Sequence, residues 1–525
     1  MPYFVLRNNT VEPFFPKTYS FSGYEDLSLV PGGADLCVWF YQAPVCADTA
    51  NAANQVRGYG EAFRYLLGVL PSVVPVVALT MVCTYSANPV VGNSELAQAV
   101  ADYNAMLWRE SANRTNLKVV DFAAFTSQYP ANELMDWKFY FMGQMALNPK
   151  LAKDFGHWWT RQLDSIALKR KKCLVLDLDN TLWGGVLGEE GTDGIKIGGA
   201  YPGSAYLFFQ QVLLSLQQSG VVLTVCSKNN EADVLACWQN NPNLMLRQEH
   251  FVATRINWDD KATNIRSLAA ELNIGLDSMV FVDDNPSERE LVRQILPEVT
   301  VPEFPQQPYQ LPEFARKLVE AYFSVYAVTT EDMDKTAQYR ANAQRAEAQR
   351  GYADYDSYLT SLDLQLTIEP ANAHTVARVA QMTQKTNQFN LTTHRYTEAD
   401  IANFILQGGH VWTLGVADRF GNSGITGCLM LTDNRIDSLL LSCRVLGKGI
   451  EKAFVRWVLA ALKAEGMRTV QADYVATAKN QQAANFYESL GFMLENQQSD
   501  GQKHYLANLD IINLEIERYY HINTK

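Results

Sequence analysis

Apolar residues gather in short runs along this chain, and three of them lie in its middle third: 173–178, 221–226 and 278–282. Runs this short and this continuous predict strands buried on both faces. Between them, 201–219 carries an amphipathic helical pattern, and further helices are expected to open near 257–261 and 287. The first 165 residues repeat the alternation, with expected strands at 3–6, 36–41, 73–84 and 117–120 and helices at 96–108 and 150–166. Strands alternating with helices imply parallel sheets covered by helices on both faces. Past residue 326 the rhythm changes. A helical connector over 337–352 is followed by 411–417, 424–431 and 436–442, expected as successive antiparallel strands, and then by a long helix to about residue 463.

Length makes this division necessary, because 525 residues exceed what one hydrophobic core accommodates. The reading is α/β with three domains, at 1–165, 166–325 and 326–525. Nearly half the residues are hydrophobic, so the material is globular. A net charge of −12 argues against sequence-independent nucleic-acid binding. Eight cysteines without a C-x-x-C pair suit free thiols in a reducing compartment. The amino terminus has no signal-peptide pattern and no run is long enough to span a membrane, so a cytoplasmic protein is expected.

The chemistry concentrates at the ends of the three central runs. The first closes as LVLDLDNTLWGG (174–185), placing Asp177 and Asp179 two residues apart at a strand end. Neighbouring carboxylates resist joint ionisation without a cation, which points to a hard metal; the alternative is a turn rich in Asp and Asn. A glycine-dense loop follows (184–191), of the kind that lets backbone approach a phosphate closely. The second run ends in Ser227-Lys228-Asn229-Asn230, a hydroxyl and N–H groups ahead of a helix, which suits an anion. Lys261 opens the next helix, and the third run ends in Asp283-Asp284-Asn285-Pro286. Open α/β sheets bind ligands beyond the carboxyl ends of their strands, so D-x-D, Ser, Lys and D-D can converge on one phosphoryl-transfer site. The densest basic run, Lys169-Arg170-Lys171-Lys172, precedes the first strand at the opposite end of the sheet, where a solvated linker is favoured over a docking patch.

These four motifs, in this order, resemble the haloacid dehalogenase (HAD) superfamily. The longer words DLDNTLWGGVLGEEG, CSKNN, NWDDKATNI and FVDDNPSERE are similar to its FkbH-type branch. That resemblance implies a Mg2+-dependent enzyme of polyketide pathways. Such enzymes load a glyceryl unit from a phosphorylated three-carbon donor, 1,3-bisphosphoglycerate, onto the phosphopantetheine thiol of an acyl carrier protein. It implies Asp177 as nucleophile and metal ligand, and Asp179 as acid/base that also lends its carbonyl to the metal. Thr181 would support the turn, Ser227 and Lys261 would bind phosphate with Lys228 and Asn229 beside them, and Asp283 and Asp284 would complete the metal shell. No large cap is expected, since the loop after Thr181 is short. Cys226 is a candidate acyl-accepting thiol, although strand alternation equally makes it a core residue facing away from Ser227. A plain phosphomonoesterase and a carrier-binding module with vestigial catalysis are the alternatives.

The flanking domains carry resemblances of their own. The first resembles the SGNH hydrolase fold, with Asp154-Phe-Gly-His157 as its D-x-x-H pair and Gly92-Asn93 as its asparagine block. Its first strand ends in Arg7-Asn8-Asn9-Thr10, with no serine nucleophile, so docking or scaffolding is expected there instead of hydrolysis. The third resembles a GNAT acyltransferase through Arg444-x-x-Gly447-x-Gly449 and the stretch from Asn480 to Phe492, with Tyr487 as the proton donor of that fold. The expectation is that this domain holds the phosphopantetheine arm, or else is purely structural. The stretch 387–393, NQFNLTT, also resembles the FkbH-type tail.

Overall fold

The structure, a computed structural model, describes residues 3–28, 33–45, 49–83, 95–328, 338, 339, 341, 345, 348, 352, 354–442, 445–499 and 501–524. Residues Met1–Ile166 with Tyr396–Phe404 form one compact unit, and Ala167–Arg395 with Ile405–Lys525 form the other. Where the sequence suggested three domains, the second unit therefore holds two sheets together. Of the expected connector over 337–352, only Gln338, Tyr339, Ala341, Arg345 and Ala348 are described as helical.

The first unit is built on five parallel strands, β1 (Phe4–Arg7), β2 (Ser20–Tyr24), β3 (Cys37–Phe40), β4 (Val76–Leu79) and β5 (Leu117–Val120), in the order β2-β1-β3-β4-β5. Alternate residues serve two cores: Trp39 and Val76 pack with residues of the helices Thr49–Val69 and Glu95–Ala112, while Val38 and Val77 pack with Phe155 and Trp159. At the carboxyl end of β1, the Asn8 amide donates to the Gln42 carbonyl at 2.8 Å and accepts from the Gln42 N–H at 3.0 Å. Asp154 and His157 lie exposed on the helix Ala152–Ile166, and Asp154 accepts from the Tyr129 hydroxyl at 3.1 Å. Gly92 and Asn93 lie outside the described residues.

In the second unit the three central runs become β6 (Cys173–Leu176), β7 (Val222–Ser227) and β9 (Met279–Val282), joined by β8 (Ala253–Ile256) in a parallel sheet ordered β8-β7-β6-β9. Every residue of β6, β7 and β9 is buried. Leu174, Leu176 and Val225 face one core, and Cys173, Val175 and Cys226 face the other. With β6 flanked by β7 on one side and β9 on the other, the strand order reverses at β6, and a crevice opens beyond its carboxyl end. Three strand-to-helix turns there are fixed by side-chain caps. Asn230 accepts from the Ala232 N–H, Asp260 from Thr263 and Asn285 from Ser287, starting the helices Glu231–Asn240, Lys261–Leu272 and Pro286–Ile295.

The remaining strands are β10 (Leu364–Pro370), β11 (His410–Asp418), β12 (Gly421–Thr432), β13 (Arg435–Leu441), β14 (Thr469–Tyr474), β15 (Met493–Gln497), β16 (Lys503–Asn508) and β17 (Tyr520–Thr524). They form one mixed sheet in the order β15-β16-β14-β13-β12-β11-β10-β17. The parallel pair β13 and β14 stays in register only at Arg435–Gln471 and Ile436–Ala472 and then parts. The chain itself fills the gap. Leu391 N–H donates to the Leu439 carbonyl at 3.1 Å, Leu441 N–H to Phe389 at 3.0 Å, and Val475 N–H to Leu391 at 2.7 Å. The buried Asn480 amide clamps this insert, donating to the carbonyls of Asn390 and Val475, both at 2.9 Å. Among the described residues no helix is long and apolar enough to cross a membrane.

Candidate active site

Asp177 leaves the end of β6 held to β9 by its N–H, which donates to the Val282 carbonyl at 3.0 Å. Asp283 and Asp284 follow β9 directly, so two adjacent strand ends deliver three acidic side chains to one place. Carboxylate oxygens of Asp177, Asp283 and Asp284 all lie within 4.8 Å of one another. Between two of them sits the buried Lys261 ammonium, 2.7 Å from Asp177 Oδ1 and in contact with Asp283 Oδ2. Asp177 is 5 % exposed and Asp283 fully buried. Burial and then the charge of Asp177 push the carboxyls of both Asp283 and Asp284 up to about 6. Burial alone would lower the Lys261 ammonium, yet Asp177 and Asp283 outweigh it and hold it above its ordinary value. Three carboxylates against one ammonium leave two negative charges over, and hard oxygen donors at this spacing fit a divalent cation such as Mg2+.

The supporting groups fix the loops. Thr181, fully buried, accepts from the Asp284 N–H at 3.1 Å and so ties the turn after β6 to the turn after β9. The sequence reading passed over Arg289, whose guanidinium donates to the carbonyls of Asp283 at 2.9 Å and Asp284 at 2.7 Å. An arginine six residues past a paired aspartate, on the first turns of a capped helix, is the signal that was available.

The two aspartates of D-x-D part company. The side chain of Asp179 lies outside the three-carboxylate cluster, and both its oxygens are engaged. Oδ1 accepts from Trp183 Nε1 at 2.9 Å and from the Leu187 N–H at 3.0 Å, and Oδ2 accepts from Asn229 Nδ2 at 2.9 Å. Asn229 also donates to Ser227 Oγ at 3.3 Å, so the serine and the second aspartate share a partner. Lys228 is committed to Glu288, at 2.6 Å. The glycine-dense loop is more ordered than expected: Gly184 pairs with Lys196 in an antiparallel bridge, and Leu187–Gly194 forms helical turns broken at Gly191.

Two expectations require correction. Cys226 is fully buried on the face of β7 opposite Ser227, packed with Cys173 and Val175 beneath the helix Lys261–Leu272, and its Sγ faces the Lys261 carbonyl at 3.8 Å. Burial pushes its thiol up to about 12, and the nearby lysine does not offset this. A thiol so placed has neither the access nor the ionisation that acyl capture needs. Tyr487 is likewise a core residue, 1 % exposed among Phe486, Phe492 and Tyr505, with burial raising its phenol. Its hydroxyl is buried within that cluster. Arg444 lies outside the described residues. Gly447 and Gly449 adopt positive φ, and the loop they shape is gripped from within: Tyr355 donates to the Gly447 carbonyl, and Tyr520 to that of Lys448 at 2.5 Å. The first turn of the following helix carries Glu451, a half-buried acid where an anion would dock.

Residues 172–304 match the NLI interacting factor-like phosphatase family. Among solved structures, the N-terminal part of the protein BF1531 from Bacteroides fragilis, described as containing a phosphatase domain complexed with Mg, is 26% identical with a TM-score of 0.52, over 62% of this chain and 94% of that one. The acetyltransferase yncA from Salmonella typhimurium, solved with acetyl-CoA, is 15% identical over 28% of this chain and 95% of its own, with a TM-score of 0.23. An N-acetyltransferase from Staphylococcus aureus Mu50 is 14% identical over 27% of this chain and 98% of its own, at 0.22. No curated protein matches the chain. The sheet β8-β7-β6-β9 and the acidic cluster at its carboxyl edge are thus a phosphatase domain of the HAD type.

Proposed function

We propose that the chain is a Mg2+-dependent phosphoryl-transfer enzyme acting at Asp177. The observation that carries this reading is the meeting of Asp177, Asp283 and Asp284 around Lys261 at a sheet's switch point. Those three aspartates would hold the metal, which would supply Lewis-acid polarisation of the phosphoryl oxygens and neutralise the site's excess charge. The Asp177 carboxylate attacks phosphorus, a P–O bond to the enzyme forms, and the P–O bond to the substrate breaks. The leaving alkoxide takes a proton from Asp179. Having given up that proton, Asp179 takes one from the water that hydrolyses the aspartyl phosphate, while Trp183, the Leu187 N–H and Asn229 hold its side chain in place. Ser227 and Lys261 bind the transferred oxygens.

The finer reading rests on the FkbH-type words of the sequence. In it the 1,3-bisphosphoglycerate acyl carbon passes directly to the phosphopantetheine thiol of an acyl carrier protein: C–S forms, C–O to phosphate breaks, and phosphate leaves. The remaining phosphate ester is hydrolysed at Asp177. Burial of Cys226 favours direct transfer over an enzyme thioester. The flanking regions then serve as SGNH-like and GNAT-like scaffolds that present the carrier. Incubation with donor, Mg2+ and holo carrier protein, followed by intact mass of the carrier, tests this. A glyceryl gain supports transfer; phosphate release with an unchanged carrier leaves a plain phosphatase; neither product removes both readings.

A further inference from the structure

Among the described residues of the first unit, three amide atoms are buried with no hydrogen-bond partner: Gln42 Oε1, Gln42 Nε2 and Asn9 Oδ1. Gln42 is 5 % exposed and Asn9 8 % exposed. Asn9 follows the end of β1, and Gln42 follows the end of β3. Those strands are parallel neighbours, and the chain leaves them in opposite directions, from β1 toward β2 and from β3 toward β4. A parallel sheet opens a crevice beyond the carboxyl ends of two such strands. The segment from Tyr140 to Gln144 bridges the two loops. The Tyr140 hydroxyl donates to the Val45 carbonyl at 3.0 Å, and the Thr10 N–H donates to the Gln144 carbonyl at 3.1 Å.

Asn8 sets which way the amides point. Because it donates to the Gln42 carbonyl and accepts from the Gln42 N–H, its own amide has one allowed orientation. Asn8 Oδ1 also accepts from Asn9 Nδ2 at 2.8 Å, so the Asn9 amino group is committed and its oxygen is the free end. Gln42 keeps its whole side-chain amide, with one donor end and one acceptor end. Hydroxyls around Asn8 and Asn9 are spent elsewhere: Tyr59 donates to Glu25 at 2.7 Å, and Thr10 pairs with Tyr24 at 2.6 Å. Folding thus strips water from three polar atoms and returns nothing to them, which is costly unless a ligand completes the set.

Two free acceptors and one free donor call for a partner with two N–H groups and a carbonyl. A primary carboxamide carries those groups on one plane. Its carbonyl accepts from Gln42 Nε2, one N–H donates to Gln42 Oε1 in a paired amide contact, and the second N–H donates to Asn9 Oδ1. A carboxylate has no donor for either oxygen, an ammonium has no acceptor for Nε2, and both pay for burying charge. We infer that the crevice between the loops after β1 and β3 binds a neutral ligand through a primary carboxamide. The carboxamide belongs either to a small molecule or to an asparagine or glutamine side chain of a polypeptide. Recognition there involves no covalent step.

Saturation-transfer NMR on the full chain tests this, with propionamide and, separately, with a capped Gly-Gln-Gly peptide ending in an N-methylamide. Transfer to both probes supports the shared carboxamide chemistry. Transfer to propionamide alone supports a small molecule as source, and transfer to the peptide alone supports a polypeptide. In each case the amide-blocked counterparts, N,N-dimethylpropionamide and the same peptide with methionine for glutamine, give no transfer. The signal is also lost in Gln42→Met, which keeps the length of the side chain and removes its amide. Since that variant removes buried groups left unpaired in the free chain, the unfolding transition of the first unit rises by about 2 °C or more. A glutamine with a structural role alone does not give that gain. No transfer to either probe, equal transfer to the blocked counterparts, transfer retained in Gln42→Met, or a lowered transition in that variant overturns the inference.

Discussion

At the scale of single residues, the site's character comes from carboxylates placed where water does not reach freely. Burial and then the charge of Asp177 push the Asp283 and Asp284 carboxyls up to about 6 from an ordinary 3.8. A raised pKa means the folded state holds these protons more tightly than the unfolded one. The stability they contribute is full below the ordinary value and is lost as pH rises through 6. A divalent cation takes the place of those protons, so the rise in Tm on adding Mg2+ is expected to be small at about pH 5 and large at about pH 7.5. Differential scanning fluorimetry across that range checks it, and an increment independent of pH speaks against metal binding by these aspartates. Cys226 makes the opposite prediction. Cys226→Ala removes a buried sulfur and costs about 1 kcal/mol of stability, yet phosphate release is expected to continue within about twofold of the parent rate.

At the scale of elements, geometry is set by strand ends tied to one another. Arg289 holds the backbone of the Asp283–Asp284 turn from the helix Pro286–Ile295. Arg289→Gln leaves the carboxylates in place but frees their turn, and the Mg2+ concentration for half-maximal activity is expected to rise about tenfold or more, with kcat at saturating metal less affected. The wedge between β13 and β14 depends in the same way on Asn480. Asn480→Ala strips the Asn390 and Val475 carbonyls of a buried donor and costs about 2–3 kcal/mol in denaturant unfolding. Sequence showed these elements unevenly. The strand runs ending in Asp177, Ser227 and Asp283 were legible because period, glycine and capping residues agreed there, as they did for β11, β12 and β13. The roles of Arg289 and Asn480 were harder to see, since the contacts that fix them run largely to backbone carbonyls of distant turns, which only the folded chain brings into reach. The thiol of Cys226 was ambiguous because residues 226 and 227 sit at a strand end, where alternation alone leaves open which of them faces the crevice.

At the scale of the whole chain, a parallel sheet with an acidic crevice shares one compact unit with a larger mixed sheet whose parting is closed by its own residues 389–391. The amino-terminal unit has neither a serine at the end of β1 nor its Asp154–His157 pair withdrawn from solvent, so no acyl-transfer centre is assembled from them. Among the described residues the three-aspartate cluster is the place proposed for phosphoryl chemistry, with Asp177 as its nucleophile. Phosphate release from a phosphomonoester, measured for the parent chain and for Asp177→Asn with Mg2+ and with EDTA, tests this most directly. Turnover in the parent with Mg2+, falling by about three orders of magnitude in Asp177→Asn and disappearing in EDTA, is the expected result. An Asp177→Asn chain that releases phosphate at the parent rate, or a parent indifferent to EDTA, contradicts it.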